Sequence, residues 1–261
     1  MATTGHALVT GASSGIGLAF AEALAARGHD LVVVARREAR LADLADSLRR
    51  THGRSVDTLA VDLSTDDGVS TVAERLADES APIELLVNNA GFGTSGRFWD
   101  LDADREAEEI RLNVEALVVL THAALDAMVP RGRGGVINVS SVAGYQPTPW
   151  GATYGATKAF VSSFTNALHE ELRSTGVRML NLAPGFTHTE FHEVSGDDVS
   201  QLPSVLWQSP QEVVDAALRA YERGRAVCTP GPVNTAAAVF SGSLPAGLTR
   251  RVAALAKRRS S

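Results

Sequence analysis

Tyr154 and Lys158 stand four residues apart. On a helix that spacing puts both side chains on one face. A phenol with its ordinary pKa near 10 is a poor acid or base at neutral pH, and a neighbouring ammonium favours the phenolate. Lowering the phenol by roughly three units requires about 4 kcal/mol, within reach of a desolvated cation. The pair closes a stretch, 134–157 up to Thr157, that carries no charged residue and includes Ser141. A tyrosine and a lysine so spaced also sit on ordinary solvated helices, and the pair alone does not decide between the two.

A second cluster is Thr10-Gly11-Ala12-Ser13-Ser14-Gly15-Ile16-Gly17. Glycines between a strand and a helix let the backbone turn tightly and approach a pyrophosphate at the positive helix end. The spacing differs from G-x-G-x-x-G, and a purely structural turn uses the same residues. His188 and His192, with Glu190 and Glu193 nearby, could face a metal from one helical turn, but their order is not H-E-x-x-H. They are read as lid or surface residues, with no metal expected.

The elements that carry these clusters alternate. Apolar runs at 6–10, 31–34, 55–61, 83–87, 135–139 and 177–182 read as strands. Helical periodicity follows the glycine cluster up to Gly28 and recurs at 40–50, 66–78, 104–128, 157–174 and 211–223, the last opening after Pro210. Such alternation predicts a parallel sheet wound on both faces. Residues 186–209 lose the pattern while keeping large apolar side chains, which suits a lid. Residues 226–261 are Pro- and Gly-rich and end in a basic helix candidate at 248–259.

The 261 residues are 44% hydrophobic and 21% charged, with mean hydropathy +0.01, which excludes global disorder and fits one domain over 1–261. The net charge of -6 offers no field for a polyanion, so nucleic acid is not an expected partner. Cys228 stands alone, and the N-terminus lacks the blocks of a secretory signal, so a cytoplasmic setting is expected. The uncharged stretch 226–249 is broken by Pro230, Gly231, Pro232 and Pro245, so no membrane span is expected there.

The glycine cluster, Asn88-Asn89-Ala90-Gly91, Asn113, Ser141 thirteen positions before Tyr154, Lys158, and Pro184-Gly185 followed by Thr187 and Thr189 form an ordered set. From Gly5 to about Thr189 the sequence resembles the classical branch of the short-chain dehydrogenases/reductases. The resemblance implies an α/β fold, a single Rossmann-type doubly wound parallel sheet with a C-terminal lid and tail, and hydride transfer between a nicotinamide and an alcohol/carbonyl pair. It implies that Tyr154 is general acid in reduction and base in oxidation. Ser141 then hydrogen-bonds the substrate oxygen, Lys158 contacts the nicotinamide ribose and lowers the Tyr154 pKa, and Asn113 positions a water of the proton relay. The thirteen-residue interval selects Ser141 over Ser140, and neighbouring strand residues face opposite ways. Cofactor contacts are implied at Gly11, Ser13, Ser14, Gly15, Ile16, Gly17, Asp62, Asn89, Tyr154, Lys158, Pro184, Gly185, Thr187 and Thr189, with Asn89 equally able to stabilise the sheet.

At the end of the second strand an acid would accept a free ribose hydroxyl and repel a 2′-phosphate. Here stand Ala35, Arg36 and Arg37, which fits NADP, with Arg36 the closer candidate by family position and a solvated basic pair as the other reading. Phe186, Phe191, Val194, Leu202, Val205, Leu206, Trp207 and Trp150 favour reduction of a lipophilic ketone, aldehyde or 3-oxoacyl compound, though they serve equally as core. The C-terminus departs from typical 3-oxoacyl carrier-protein reductases. A non-catalytic NADP-binding sensor or scaffold is the alternative, disfavoured because all four catalytic positions are filled. The resemblance also implies a homodimer or homotetramer built on the helices at 104–128 and 157–174. The basic tail suits a solvated helix or subunit contact, with an anionic membrane surface as the less favoured reading.

Overall fold

Residues 31–34 read Leu-Val-Val-Val, and the computed structural model, which describes residues 5–191, 195–196 and 203–236, places them in a strand covered on both faces. Leu31 and Val33 enter one core and Val32 and Val34 the other, as the two-residue period of a strand requires. Seven such strands run parallel: β1 (His6–Thr10), β2 (Asp30–Ala35), β3 (Val56–Ala60), β4 (Ile83–Asn88), β5 (Gly134–Val139), β6 (Val177–Leu182) and β7 (Val227–Cys228). Their order is β3-β2-β1-β4-β5-β6-β7. The direction of winding reverses between β1 and β4, which leaves a crevice beyond their carboxyl ends. β7 has two residues and so no period to be read from sequence.

Helices α1 (Gly15–Ala26), α2 (Glu38–His52) and α7 (Pro210–Glu222) bury Phe20, Leu24, Leu41, Val213 and Leu218 on one face of the sheet. Helices α3 (Asp66–Ala77) and α5 (Leu117–Arg131) bury Val72, Leu76, Leu120 and Met128 on the other, with Leu168 of α6 (Ala152–Glu171) packed against them. The span Ala103–Arg131 is apolar and long enough to cross a membrane, yet its buried side chains are those that cover the sheet.

Two departures from the sequence reading matter for the site. The helix expected over 104–128 is α4 (Ala103–Ile110), then a π-helical turn over Arg111–Ala116, then α5. The π-helical turn widens the backbone bonding, and the Leu117 N–H closes it with a tighter bond to the carbonyl of Val114. A one-residue widening hardly disturbs the apolar pattern, which hides it in sequence. The helix expected from 157 starts at Ala152, because Ala-Thr-Tyr-Gly-Ala carries no apolar period to announce a first turn. Tyr154 therefore sits in the first turn of α6.

Polar side chains are buried where the strands end. Asn88 and Asn138 are paired in register on β4 and β5, and Asn138 and Asn181 on β5 and β6. Asn88 donates to Asn138 at 2.9 Å and to Thr121 at 3.0 Å, Asn138 donates to Thr165 at 3.1 Å, and Ser140 donates to Asn181 at 2.6 Å. The row ties α5 and α6 to the strand ends beneath the crevice.

Two carboxyls lie buried on α4. The Thr94 hydroxyl lies 2.5 Å from Glu106 Oε1 and 3.0 Å from Glu109 Oε2, and Thr153 of α6 donates to Glu106 Oε2. Glu109 is fully buried and its Oε1 has no partner among the described residues. Burial pushes Glu109 up to about 7, with the Glu106 charge adding to the rise and the Thr94 hydroxyl and Lys158 opposing it. An acid raised on folding stabilises the fold fully below its unfolded pKa, near 4.5, and loses that advantage as pH rises through about 7. Gln keeps the shape and cannot ionise. Glu109→Gln should therefore gain melting temperature relative to the unmodified protein between pH 5 and pH 8, by an amount equivalent to about 3 kcal/mol at the alkaline end. Thermal denaturation at three pH values checks this; a constant difference would mean that folding leaves the Glu109 pKa unchanged.

Candidate active site

Lys158 is 5% exposed, and a buried ammonium demands acceptors. It finds the Val139 carbonyl at 3.0 Å, at the end of β5. Burial pushes Lys158 down to about 8, with Glu109 acting in the opposite sense. One helical turn earlier on α6, Tyr154 has its ring centroid 5.8 Å from the Lys158 Nζ. Burial pushes Tyr154 up to about 12, opposed by a hydrogen bond with the Ser141 side chain and reinforced by Glu109. This departs from the expectation that Lys158 pulls the phenol down. The ammonium is turned to a backbone carbonyl, and desolvation outweighs its influence.

Ser141 follows β5 and caps the 3-10 turn Val142–Tyr145, its oxygen accepting from Ala143 N at 3.1 Å. Ser140 faces the other way and spends its hydroxyl on Asn181 and the Leu182 carbonyl. Asn113, buried within the π-helical turn, accepts from Phe92 N at 3.1 Å and donates to Phe92 O at 2.8 Å and to Thr157 Oγ1 at 3.2 Å. Its amide is thus committed to the loop after β4 and to α6. A Cβ on Gly91 would lie 2.8 Å from Asn113 Oδ1 and 3.5 Å from Lys158 Nζ, and one on Gly93 would lie 2.9 Å from the Tyr154 ring. The loop can pass this close to the site only as glycine.

The crevice between β1 and β4 fits a nicotinamide dinucleotide. Gly11 and Gly15 have φ of 67° and 56°, and a Cβ on Gly17 would lie 2.3 Å from the Gly11 carbonyl. Ser14 is the N-cap of α1 but makes no side-chain cap bond, and the first turn holds no acid. The N–H groups at that helix end are left for an anion. Ile16 packs against the core behind the loop. Asn89 donates to the carbonyls of Thr10 and Gly11 at 2.9 and 3.4 Å, so its amide shapes the loop.

At the adenosine end the two arginines diverge. Arg36 leans 3.6 Å from Asp62 and 3.9 Å from Glu108. Arg37 lies on the glycine loop, donating to Ser13 at 3.0 Å and to Ser14 at 3.1 Å. The acids beside the end of β3 and on α4 draw Arg36 away. Partial burial opposes ionisation of Asp62, but the Ser64 N–H and hydroxyl, then Arg36, hold its carboxyl below the usual range.

Beyond β6, Pro184 O accepts from Val142 N, tying this turn to the Ser141 segment. A Cβ on Gly185 would strike the Asn234 side chain, which also donates to Gln208 at 3.0 Å. Thr187 donates to Gly185 O and bridges to Gln208, and Thr189 packs its methyl against Gly15. Phe191 lies over Tyr154 with ring centroids 5.2 Å apart, and Trp207 stacks on His188 at 4.6 Å and meets Phe186 at 5.8 Å. His188 is thus engaged by an aromatic ring; no metal-holding group of His, Cys, Asp and Glu occurs among the described residues. His192, Glu193, Val194, Leu202 and the tail at 248–261 lie outside the described residues.

The structure therefore brings Ser141, Tyr154, Lys158 and Asn113 together with the glycine loop. Thr94, Glu106 and Glu109 adjoin the same cluster and were not anticipated; the three-residue spacing of Glu106 and Glu109 on one helical face was the available signal. Asn234 and Glu190 carried no local signal, since their partners are remote in sequence.

The geometry has counterparts in known proteins. Residues 5–200 match the family profile described as short chain dehydrogenase. Sulfoacetaldehyde reductase 2 of Chromohalobacter salexigens is 39% identical over 80% of this chain and 84% of its own length. A short-chain dehydrogenase from Sphingobium yanoikuyae, solved in complex with NADPH, superimposes with a TM-score of 0.83 at 36% identity, covering 92% of this chain and 96% of that one. The bulky-bulky ketone specific alcohol dehydrogenase from Comamonas testosteroni gives 0.79 at 32% identity, covering 93% and 96%. With the profile spanning most of its length, the chain belongs to the short-chain dehydrogenase family.

Proposed function

We propose that the chain is an NADP(H)-dependent reductase of a lipophilic carbonyl compound, with Tyr154 as general acid. The observation that carries this is the half-buried Tyr154, hydrogen-bonded to Ser141, beside a buried Lys158 and under Phe191, at the edge of the glycine-lined crevice. NADPH supplies the hydride when bound. Ser141 orients the carbonyl oxygen toward the phenol. Tyr154, kept protonated by burial, gives its proton to the oxygen as negative charge develops there. Lys158 places a positive charge below the phenol and stabilises it as the proton leaves. The Asn113 side-chain amide is spent on Phe92 and Thr157, so the part of Asn113 in proton resupply falls to its main-chain carbonyl.

Gly11, Ser13, Ser14, Gly15, Ile16 and Gly17 form the pyrophosphate cradle, and Pro184, Gly185, Thr187 and Thr189 wall the nicotinamide end. Arg37, with Arg36 beside it, suits a 2′-phosphate, and Ala35 provides no carboxylate to repel it. The NADPH complex of the Sphingobium yanoikuyae relative supports this cofactor. Phe186, Phe191 and Trp207 favour an apolar substrate, in keeping with the bulky-ketone specificity of the Comamonas testosteroni relative. Ile110, Val119 and Phe160 are exposed on α4, α5 and α6, Phe160 stacked on Phe164, and offer these helices as the face of a homodimer. The lone Cys228, half-buried in β7, fits a cytoplasmic protein.

Tyr154→Phe should remove nearly all NADPH-dependent ketone reduction while leaving the NADPH dissociation constant within about threefold of its starting value; turnover near normal would exclude Tyr154 as the acid. For the cofactor, charge-assisted bonds to a phosphate contribute about 1.5 to 3 kcal/mol, or roughly ten- to 150-fold. NADPH should therefore exceed NADH by at least about tenfold in kcat/KM, and Arg37→Ala should lose most of that preference through NADPH affinity. Steady-state kinetics with both cofactors on both proteins measure it, and equal use of the two by the unmodified protein would place the arginines in a solvated role.

A further inference from the structure

Glu190 follows Thr189, whose side chain packs against Gly15 of the glycine loop. Its Oε2 accepts from Arg37 Nη1 at 2.9 Å and its Oε1 from Arg40 Nη1 at 2.7 Å. The same Arg37 guanidinium reaches Ser13 Oγ from Nη2 at 3.0 Å and from Nε at 3.3 Å, and Ser14 Oγ from Nη2 at 3.1 Å. Two guanidiniums and two hydroxyls thus converge at the junction of the glycine loop with the start of α2. The anion they hold comes from a residue about 150 positions away. The donor set exceeds what one carboxylate uses, since Glu190 engages a single N–H of each arginine, and matches the three oxygens of a phosphate monoester. The Arg40 and Arg37 hydrogen bonds hold the Glu190 carboxyl below its usual range, so it is an anion throughout neutral pH.

We propose that Glu190 is an internal stand-in for the cofactor's 2′-phosphate: it neutralises Arg37 and Arg40 in the free protein and must leave them before the phosphate can bind. The inference rests on the NADPH reading given above and adds two residues to it. Arg40 becomes a phosphate ligand, and Glu190 becomes a determinant of cofactor specificity that acts by competition. A site occupied by its own carboxylate binds an external anion with an affinity reduced by the fraction of time the site is free. All three side chains are between 41% and 48% exposed, and each exposed ion pair is weak. The competition is therefore modest, about three- to tenfold in affinity. NADH, which has no 2′-phosphate, does not meet it.

The test uses four probes on the full chain: 2′,5′-ADP, 5′-AMP, NADPH and NADH, each titrated calorimetrically or by cofactor fluorescence. Glu190→Gln should tighten 2′,5′-ADP and NADPH by about three- to tenfold and leave 5′-AMP and NADH unchanged. Arg40→Ala should weaken 2′,5′-ADP relative to 5′-AMP. Unchanged or weaker NADPH binding in Glu190→Gln overturns the stand-in, because the carboxylate then does not compete for the arginines. Tighter binding of all four probes also overturns it, since that reports a general opening of the crevice. Unmodified protein that binds 2′,5′-ADP no better than 5′-AMP removes the NADPH reading, and the stand-in falls with it; 2′-phosphate preference without a Glu190 effect removes the stand-in alone.

Discussion

A lysine ammonium buried at the ends of the central strands sets the terms for everything around it. An ion in such a place is tolerated only where acceptors and compensating charges are fixed before it arrives. Val139 supplies a carbonyl because β5 ends there, and the β4 loop comes within reach because Gly91 has no side chain. Asn113 locks that loop through both polar groups of the Phe92 backbone. The π-helical turn brings Asn113 into place, and the threonine-bridged carboxyls of α4 hold the same loop and the start of α6 from the other side. Few of these contacts contribute much alone. Together they leave Lys158 and Tyr154 one arrangement.

The crevice follows a different logic, one of backbone clearance. The glycine loop passes within a Cβ radius of its own carbonyl at Gly11 and of the Asn89 amide, and Gly185 is wedged against Asn234. These approaches clear a channel between β1 and β4 without moving the strands. The helix α1 then begins with uncapped N–H groups, an arrangement that costs stability in an isolated helix and becomes favourable when an anion completes it. The buried asparagine row beneath fixes the strand ends, so channel and catalytic helix share one rigid floor.

Features that depend on neighbours in sequence were legible in the chain, and those that depend on remote partners were not. β6 was readable to the residue because Val177–Leu182, with Val177, Met179, Leu180 and Leu182 apolar, is set between Gly176 and Pro184. The grouping of Tyr154, Lys158 and Ser141 was legible because Tyr154 and Lys158 stand four residues apart and Ser141 lies at the interval that the family resemblance implies. The register change at Asn113 was not, since a single inserted turn leaves hydrophobic spacing almost intact. Glu106 and Glu109 drew no reading, because composition cannot say that Thr94 and Thr153 will close over them. Arg36 and Arg37 are adjacent, and only the placement of Asp62, Glu108 and the two loop serines tells them apart.

Burial also sets the resting protonation states of the pair. In water a phenol and an ammonium titrate within about half a unit of each other. In this protein burial drives Tyr154 up to about 12 and Lys158 down to about 8, so the two separate and the neutral phenol is favoured over a phenolate. Even so raised, a phenol remains a far stronger acid than an alcohol, whose pKa lies well above it. Proton transfer from Tyr154 to an alkoxide forming on the substrate is therefore downhill at any pH where the protein is folded. The reverse reaction must first remove the phenol proton against the desolvation that holds it. The same site lowers the barrier in both senses, so burial decides which protonation state of Tyr154 the free site holds, and the redox state of the cofactor decides the net direction.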